Sequence, residues 1–171
     1  MTTIVQAATA EELDDVRRLM RAFASWRRER HDDITAAEEG FVDRELEGEA
    51  TEMPGAYAPP YGRLLIAYES DQPAGCAALR GLGEGMCEAR AIFVTGRFRG
   101  QHVGWALVER LLLEARGAGY RRMCLGTNPH EDEAMRLCER TGFQRTSLGH
   151  GVSDQTPGSR VFFERNLRVA S

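Results

Sequence analysis

The residues best suited to chemistry in this chain are Glu88, the pair Arg97 and Arg99, the glycines Gly100 and Gly104, and the more distant Cys138. A carboxylate accepts protons, arginines and glycine-flanked amides hold anions, and a thiol acts as a nucleophile or weak acid. The anion device is the most complete of the three. Residues Glu88 to Val94 read as an apolar strand, Thr95 to Gly104 as an arginine and glycine loop, and a helix begins near Val103 or Gly104. A helix start offers unpaired N–H groups and the positive end of the helix dipole, both of which favour an anion. Without a Cβ, Gly100 and Gly104 let a ligand approach the backbone closely and let φ turn positive. The loop lacks the Gly-Lys-Ser/Thr ending of a Walker loop and the G-x-G-x-x-G of a dinucleotide fingerprint, so its anion is of another kind.

Other chemistry-bearing residues carry less. Gly81, Gly83 and Gly85 suggest dinucleotide binding only weakly, because no helix follows them. Cys76, Cys87, Cys124 and Cys138 form no CxxC pair and no metal-ligand spacing, and are expected to be buried reduced thiols. His31, His130 and His150 are read as solvated residues, and His130 with Glu131 lacks the second histidine of a zinc-protease motif. No metal is expected.

Several elements must position the loop. Ile4 to Ala7 reads as a short edge strand, and Thr9 with Glu12 makes a capping box for a long helix with an apolar stripe of Leu13, Val16, Leu19, Met20, Phe23 and Trp26. A weaker helix is expected over about Thr35 to Leu46. Met53 to Gly62, with three prolines, is a loop. Leu64 to Glu69 and Ala74 to Arg80 form a hairpin across Ser70 to Pro73, and Gly81 to Gly85 turns the chain into the strand before the anion loop. After the helix that ends at Gly117 or Gly119, a strand over Arg121 to Leu125 and a short helix over Glu131 to Arg140 are expected, the latter capped by Asn128 and Pro129. Phe143 to Leu148 and Arg160 to Leu167 are the last strands.

The 171 residues fit one domain, 1–171, with room for a core that needs neither disulfide nor metal. A formal charge of −4 argues against a general nucleic-acid binder, which needs a broad basic face. All 22 basic residues are arginine, a feature of coding bias from which no function follows. No basic-then-apolar leader and no apolar run of membrane length is visible, so the protein is expected to be cytoplasmic with no membrane partner.

Arg99, His102 and Gly104 stand at the spacing of the Arg/Gln-x-x-Gly-x-Gly/Ala signature with which the GNAT superfamily of N-acetyltransferases cradles the pyrophosphate of acetyl-CoA. The resemblance covers nearly the whole chain. Cys87 to Val94 is similar to the strand before the loop in one bacterial branch, Glu139 to Phe143 to the helix end and following strand, and Pro54 to Gly62, Pro157, Gly158 and Phe162 to Leu167 to further segments of that branch. It implies an α/β fold of the α+β kind: a mixed, mostly antiparallel sheet, splayed beside the signature strand and flanked by helices. Acetyl-CoA would be the cosubstrate, its pantetheine arm pairing with the backbone of Ile92, Phe93 and Val94. Its diphosphate would rest on Arg99, Gly100, Gln101, His102, Val103 and Gly104, with Trp105 and Asn128 nearby. For Trp105 a core or interface role weighs more than a contact.

Two departures stand out. His102 occupies the first glycine position of the signature, and Cys138 stands where many members have a tyrosine that protonates the leaving thiolate. For the base, Glu88 corresponds to the general base of the histone-acetylating branch. Strand alternation puts Glu88, Arg90, Ile92 and Val94 on one face toward the splay. An ion pair between Glu88 and an arginine is the equal alternative. The activity implied is acetyl transfer from acetyl-CoA to a primary amine of a small molecule or peptide by direct attack, with backbone N–H groups near Val94 stabilising the oxyanion. A catalytically impaired acyl-CoA-binding or sensor module of the same fold is the alternative. The acceptor is not legible, and a homodimer is left open.

Overall fold

The computed structural model describes residues 1–30, 44, 47–127, 131–147 and 161–167, with the side chain of residue 30 left out. The expected helix over 35–46, the three histidines 31, 130 and 150, Asn128 and Pro129, and the closing turn at 157–158 lie essentially outside the described residues.

Seven strands form one sheet in the order β1-β2-β3-β4-β5-β7-β6. They are β1 (Thr2–Gln6), β2 (Arg63–Glu69), β3 (Gln72–Gly83), β4 (Met86–Val94), β5 (Arg122–Thr127), β6 (Gln144–Thr146) and β7 (Val161–Asn166). Every pairing is antiparallel except β4 with β5. Helices accompany the sheet: α1 (Ala10–Arg30), α2 (Val103–Gly117) and α3 (Asp132–Arg140), and residues 47–52 are also helical. The fold is therefore the mixed, mostly antiparallel sheet flanked by helices that the resemblance implied.

Alternation along the strands sends side chains to two cores. Leu65, Ala67, Ala77 and Leu79 pack with Leu107, Leu111 and Leu112 of α2, while Leu64, Ile66, Cys76 and Ala78 pack with Val16, Leu19 and Met20 of α1. Strands buried on both faces read as continuous apolar runs, and β2 does so from Leu64 to Ala67.

The local signals work as their chemistry requires. In the capping box of α1, the Glu12 amide donates to Thr9 Oγ1 (3.1 Å) and the Thr9 amide to Glu12 Oε2 (3.0 Å), and the Thr9 and Ala8 amides together hold the Glu12 carboxyl below its ordinary range. The β2–β3 hairpin is tighter than expected. It turns on Ser70 and Asp71 alone, at φ 50° and 65°, and Pro73 belongs to the first residues of β3. Glu84 and Gly85, at φ 55° and 78°, make the next tight turn, so the glycines 81–85 end a hairpin and open no nucleotide site. The described start of α3 is Glu131, without a side-chain cap.

Candidate functional site

β4 pairs with β5 only over Met86–Glu88 against Arg122–Cys124. Beyond Glu88 the strands part and leave a cleft of about 500 Å3, walled by β4 from Glu88 to Val94, Leu125 to Thr127 of β5, the loop and first turn of α2, α3, and Phe23, Trp26 and Arg27 of α1. This size is ordinary for a small-ligand site. A bulge contributes to the divergence. Cys76 faces Phe93 and Ala78 faces Arg90, so Ala91 and Ile92 together oppose Ala77, and Ala91 takes φ 51°. An extra residue bends a strand and increases its twist.

The bulge also corrects the expected alternation. Cys87 and Ala89 face the α2 core; after Ala91, it is Ile92 and Val94 that pack there, while Ala91 and Phe93 belong to the α1 core. Glu88 and Arg90 therefore do not share a face with Ile92 and Val94. Glu88 stands opposite Arg80 and Arg90 opposite Ala78, on the α1 side of the sheet.

At the far end of β4, a single 3-10 turn (Gly96–Phe98) buries Phe98 as an anchor. Gly100 at φ 77° and His102 at φ 65° are both left-handed. His102 thus adopts the backbone that a signature glycine would supply, and histidine visits this region more readily than a branched residue. The first rung of α2 is the Ala106 amide donating to the His102 carbonyl (3.0 Å), and no side chain caps the helix. The amides of Val103, Gly104 and Trp105 are left outside the ladder, a site built for an anion. A Cβ on Gly100 would meet nothing within 4 Å, whereas one on Gly104 would lie 3.3 Å from Leu137 Cδ2 and 3.5 Å from Val94 Cγ2. Gly100 serves conformation, and Gly104 serves close approach. This open, capless turn fits a diphosphate group.

Ile92, Phe93, Val94, Arg99, Gly100, His102, Val103, Gly104 and Trp105 all line the cleft. Gln101 does not; it is exposed and donates to the Arg97 carbonyl (3.4 Å). Trp105 is 48% exposed, so it is not a core residue. Arg99 donates from Nε to the Val94 carbonyl (3.0 Å) and stacks over Trp26 at 4.3 Å.

Glu88 is 2% exposed and lies between two guanidinium groups. Arg80 donates to Oε2 from Nε (3.0 Å) and Nη2 (2.8 Å), and Arg90 donates from Nη1 to Oε1 (3.0 Å). The ion-pair alternative is thus present, and both carboxylate oxygens are engaged. Arg90 in turn pairs with Glu49 and donates from Nε to the Tyr57 hydroxyl (3.1 Å). Burial pushes the Tyr57 phenol up. Cys138 lines the cleft yet is 6% exposed and packs in the α2 core, where burial pushes its thiol up to about 12.

Sequence reasoning missed the Glu49–Arg90–Tyr57 link, the wall of Phe23, Trp26 and Phe93, and Glu131. The Glu131 Oε2 accepts from Thr127 Oγ1 (3.2 Å), and its Oε1 pairs with Arg27 Nε (3.3 Å). The available signal was two charges, Glu88 and Arg90, in an otherwise apolar strand. No group of three potential metal ligands occurs among the described residues, and no helix among them is long and apolar enough to cross a membrane.

The chain shares its fold with solved acetyltransferases. A GNAT-family acetyltransferase from Staphylococcus aureus Mu50 superposes with a TM-score of 0.78 at 16% identity, over 98% of this chain and 100% of that one. The PaiA N-acetyltransferase from Thermoplasma acidophilum, solved in complex with coenzyme A, gives 0.74 at 13% identity over 97% and 99%. The yncA protein from Salmonella typhimurium, solved with its cofactor acetyl-CoA, gives 0.63 at 22% over 99% and 96%. In sequence, the chain is 34% identical over 87 residues to an IAA acetyltransferase of Azospirillum brasilense, a match that spans 50% of this chain and 57% of that protein. The model of the acetyltransferase (GNAT) family matches residues 20–143, and the chain, with its splayed β4–β5 cleft and capless start of α2, belongs to that family.

Proposed function

We propose that the protein transfers an acetyl group from acetyl-CoA to a primary amine of a small molecule or peptide, by direct attack within a ternary complex. The observation that carries this reading is the backbone turn at the start of α2, which opens into the same cleft as the stretch of β4 that parts from β5 beyond Glu88. Acetyl-CoA supplies the activated thioester. The amides of Val103, Gly104 and Trp105 and the left-handed turn at Gly100 and His102 hold its diphosphate; the β5-facing backbone of Ile92 to Val94 holds the pantetheine arm and offers N–H groups to developing negative charge. Asn128 is included among the contacts by resemblance alone.

The chain's side chains prepare the amine rather than the thioester. Five arginines against three glutamates line the cleft among the described residues, and an excess of positive charge favours the neutral, attacking form of an amine. Glu88, committed to Arg80 and Arg90, fixes Arg90 in this wall, and the amine proton passes to solvent. Cys138 packs, and water protonates the departing thiolate. The left-handed His102 keeps the shape of the signature, which favours a working enzyme over a binding-only module.

Amine-dependent release of CoA thiol tests the reading, with calorimetry of acetyl-CoA binding beside it. Gly104→Glu places bulk and negative charge at the diphosphate and is expected to lower affinity at least about 100-fold, since close anion contacts to charged groups are strong. Gly104→Ala, whose Cβ needs only a small shift of Leu137 Cδ2 from 3.3 Å, serves as the control for folding. Unchanged affinity in the glutamate variant sinks the assignment, and binding without amine-dependent thiol release favours the sensor module.

A further inference from the structure

We propose that the acceptor is a monoamine carrying a flat, apolar group, which stacks on a platform made by Phe23, Trp26 and Phe93. This rests on the transferase reading above and narrows its substrate class. The three rings line the cleft and touch one another: Phe23 and Phe93 at 5.2 Å between centroids, Phe23 and Trp26 stacked at 6.2 Å, Trp26 and Phe93 at 6.4 Å. The bulge at Ala91 brings Phe93 to the α1 side of the sheet, and alternation sets it apart from the cofactor edge. Phe93 faces α1, whereas its neighbours Ile92 and Val94 face α2, so a group on the platform approaches the open edge of β4 from the other side.

Among the described residues, the charges around the platform disfavour polycations. Arg99 lies over the Trp26 ring at 4.3 Å from its centroid and Arg27 over that of Phe23 at 5.7 Å, so positive charge already sits on the platform's faces and a flat group would extend these stacks. The inner carboxylates are matched: Glu88 with Arg80 and Arg90, and Glu131 with Arg27. Glu133 is exposed at the mouth. A distal ammonium, as in a polyamine or a lysine-rich peptide, would meet guanidinium groups and ion-paired carboxylates, whereas a ring gains contact area and suitable π geometry.

The test is steady-state acetylation of 2-phenylethylamine, tryptamine, n-butylamine and spermidine by the full chain, with calorimetric titration of acetyl-CoA. Phenylethylamine and tryptamine are expected to exceed spermidine at least 10-fold in kcat/KM. Trp26→Leu, which keeps apolar bulk but removes the flat face, should raise KM for the two aromatic amines about 10-fold while leaving butylamine and acetyl-CoA affinity within about 2-fold. Phe23→Leu repeats the measurement should the first variant melt early. Preference for spermidine, or an equal loss for all amines, overturns the acceptor class and leaves the transferase standing. Tight acetyl-CoA binding with no amine-dependent thiol release overturns both.

Discussion

The two ends of β4 use opposite strategies. At the Val94 end, the candidate anion site consists of backbone: three amides outside the α2 ladder and two left-handed residues. At the Glu88 end, the chemistry is all side chain, with Glu49, Arg80, Glu88, Arg90 and the Tyr57 hydroxyl linked and largely withdrawn from water. A backbone site asks of its residues only a conformation, so histidine stands in for glycine without changing its shape. A side-chain network asks each member for charge and reach, so no member is exchangeable.

The sharpest way to break this contrast is Glu88→Gln. It leaves Arg80 and Arg90 facing a neutral amide, and loss of a buried ion-pair partner costs roughly 3 kcal/mol, or a melting temperature lower by about 6–12 °C in a chain of this size. Turnover per folded molecule should stay within about 3-fold. A drop of 100-fold with unchanged melting and a flattened acidic limb of the rate profile would instead make Glu88 the general base.

At the other end, His102→Val forces a branched residue into the left-handed region at a cost of about 1–2 kcal/mol, whereas His102→Gly should change stability by under about 1 kcal/mol. Acetyl-CoA affinity in the glycine variant is expected within about 3-fold of the parent. A tenfold weakening by calorimetry would show that the imbalance between the two ends is smaller than drawn, because the imidazole itself contacts phosphate.

Cys138→Ala should have the smallest effect, about 1 kcal/mol of lost packing with most of the rate retained. Its thiol is raised from about 9 to about 12, as are those of Cys76 and Cys124. Unfolded thiols ionise first, so the stability due to these groups is complete below pH 9 and falls as pH rises toward 12. Chemical denaturation across that window should show a shallower decline in the alanine variant. A 100-fold rate loss with acetyl-CoA affinity intact would return Cys138 to the reaction.

What the sequence disclosed divides along the same line. The capping box at Thr9 and Glu12, the stripe of α1, the start of α2 and the turn at Glu84 and Gly85 are local, and each was legible because its signal lies within a few residues of its effect. The pairing of Arg90 with Glu49, the aromatic wall joining α1 to β4 and the meeting of Gly104 with Leu137 join residues distant in the chain, and no spacing rule encodes them. The bulge was hidden for another reason. Left-handed backbone is announced by glycine or asparagine, and at position 91 the residue is alanine.

That hidden residue divides the strand into two addresses. Because Ala91 resets the alternation, positions 88 and 90 write to one ledge of the cleft and positions 92 and 94 to the opposite one, within a single strand. On the proposed reading, the first pair faces the acceptor's ledge and the second the edge that would hold acetyl-CoA. A deletion of Ala91 would take out the bulge and its bend, yet Glu88 and Arg90 would still face one ledge and Ile92 and Val94 the other, because removing the extra residue restores simple alternation without moving either pair.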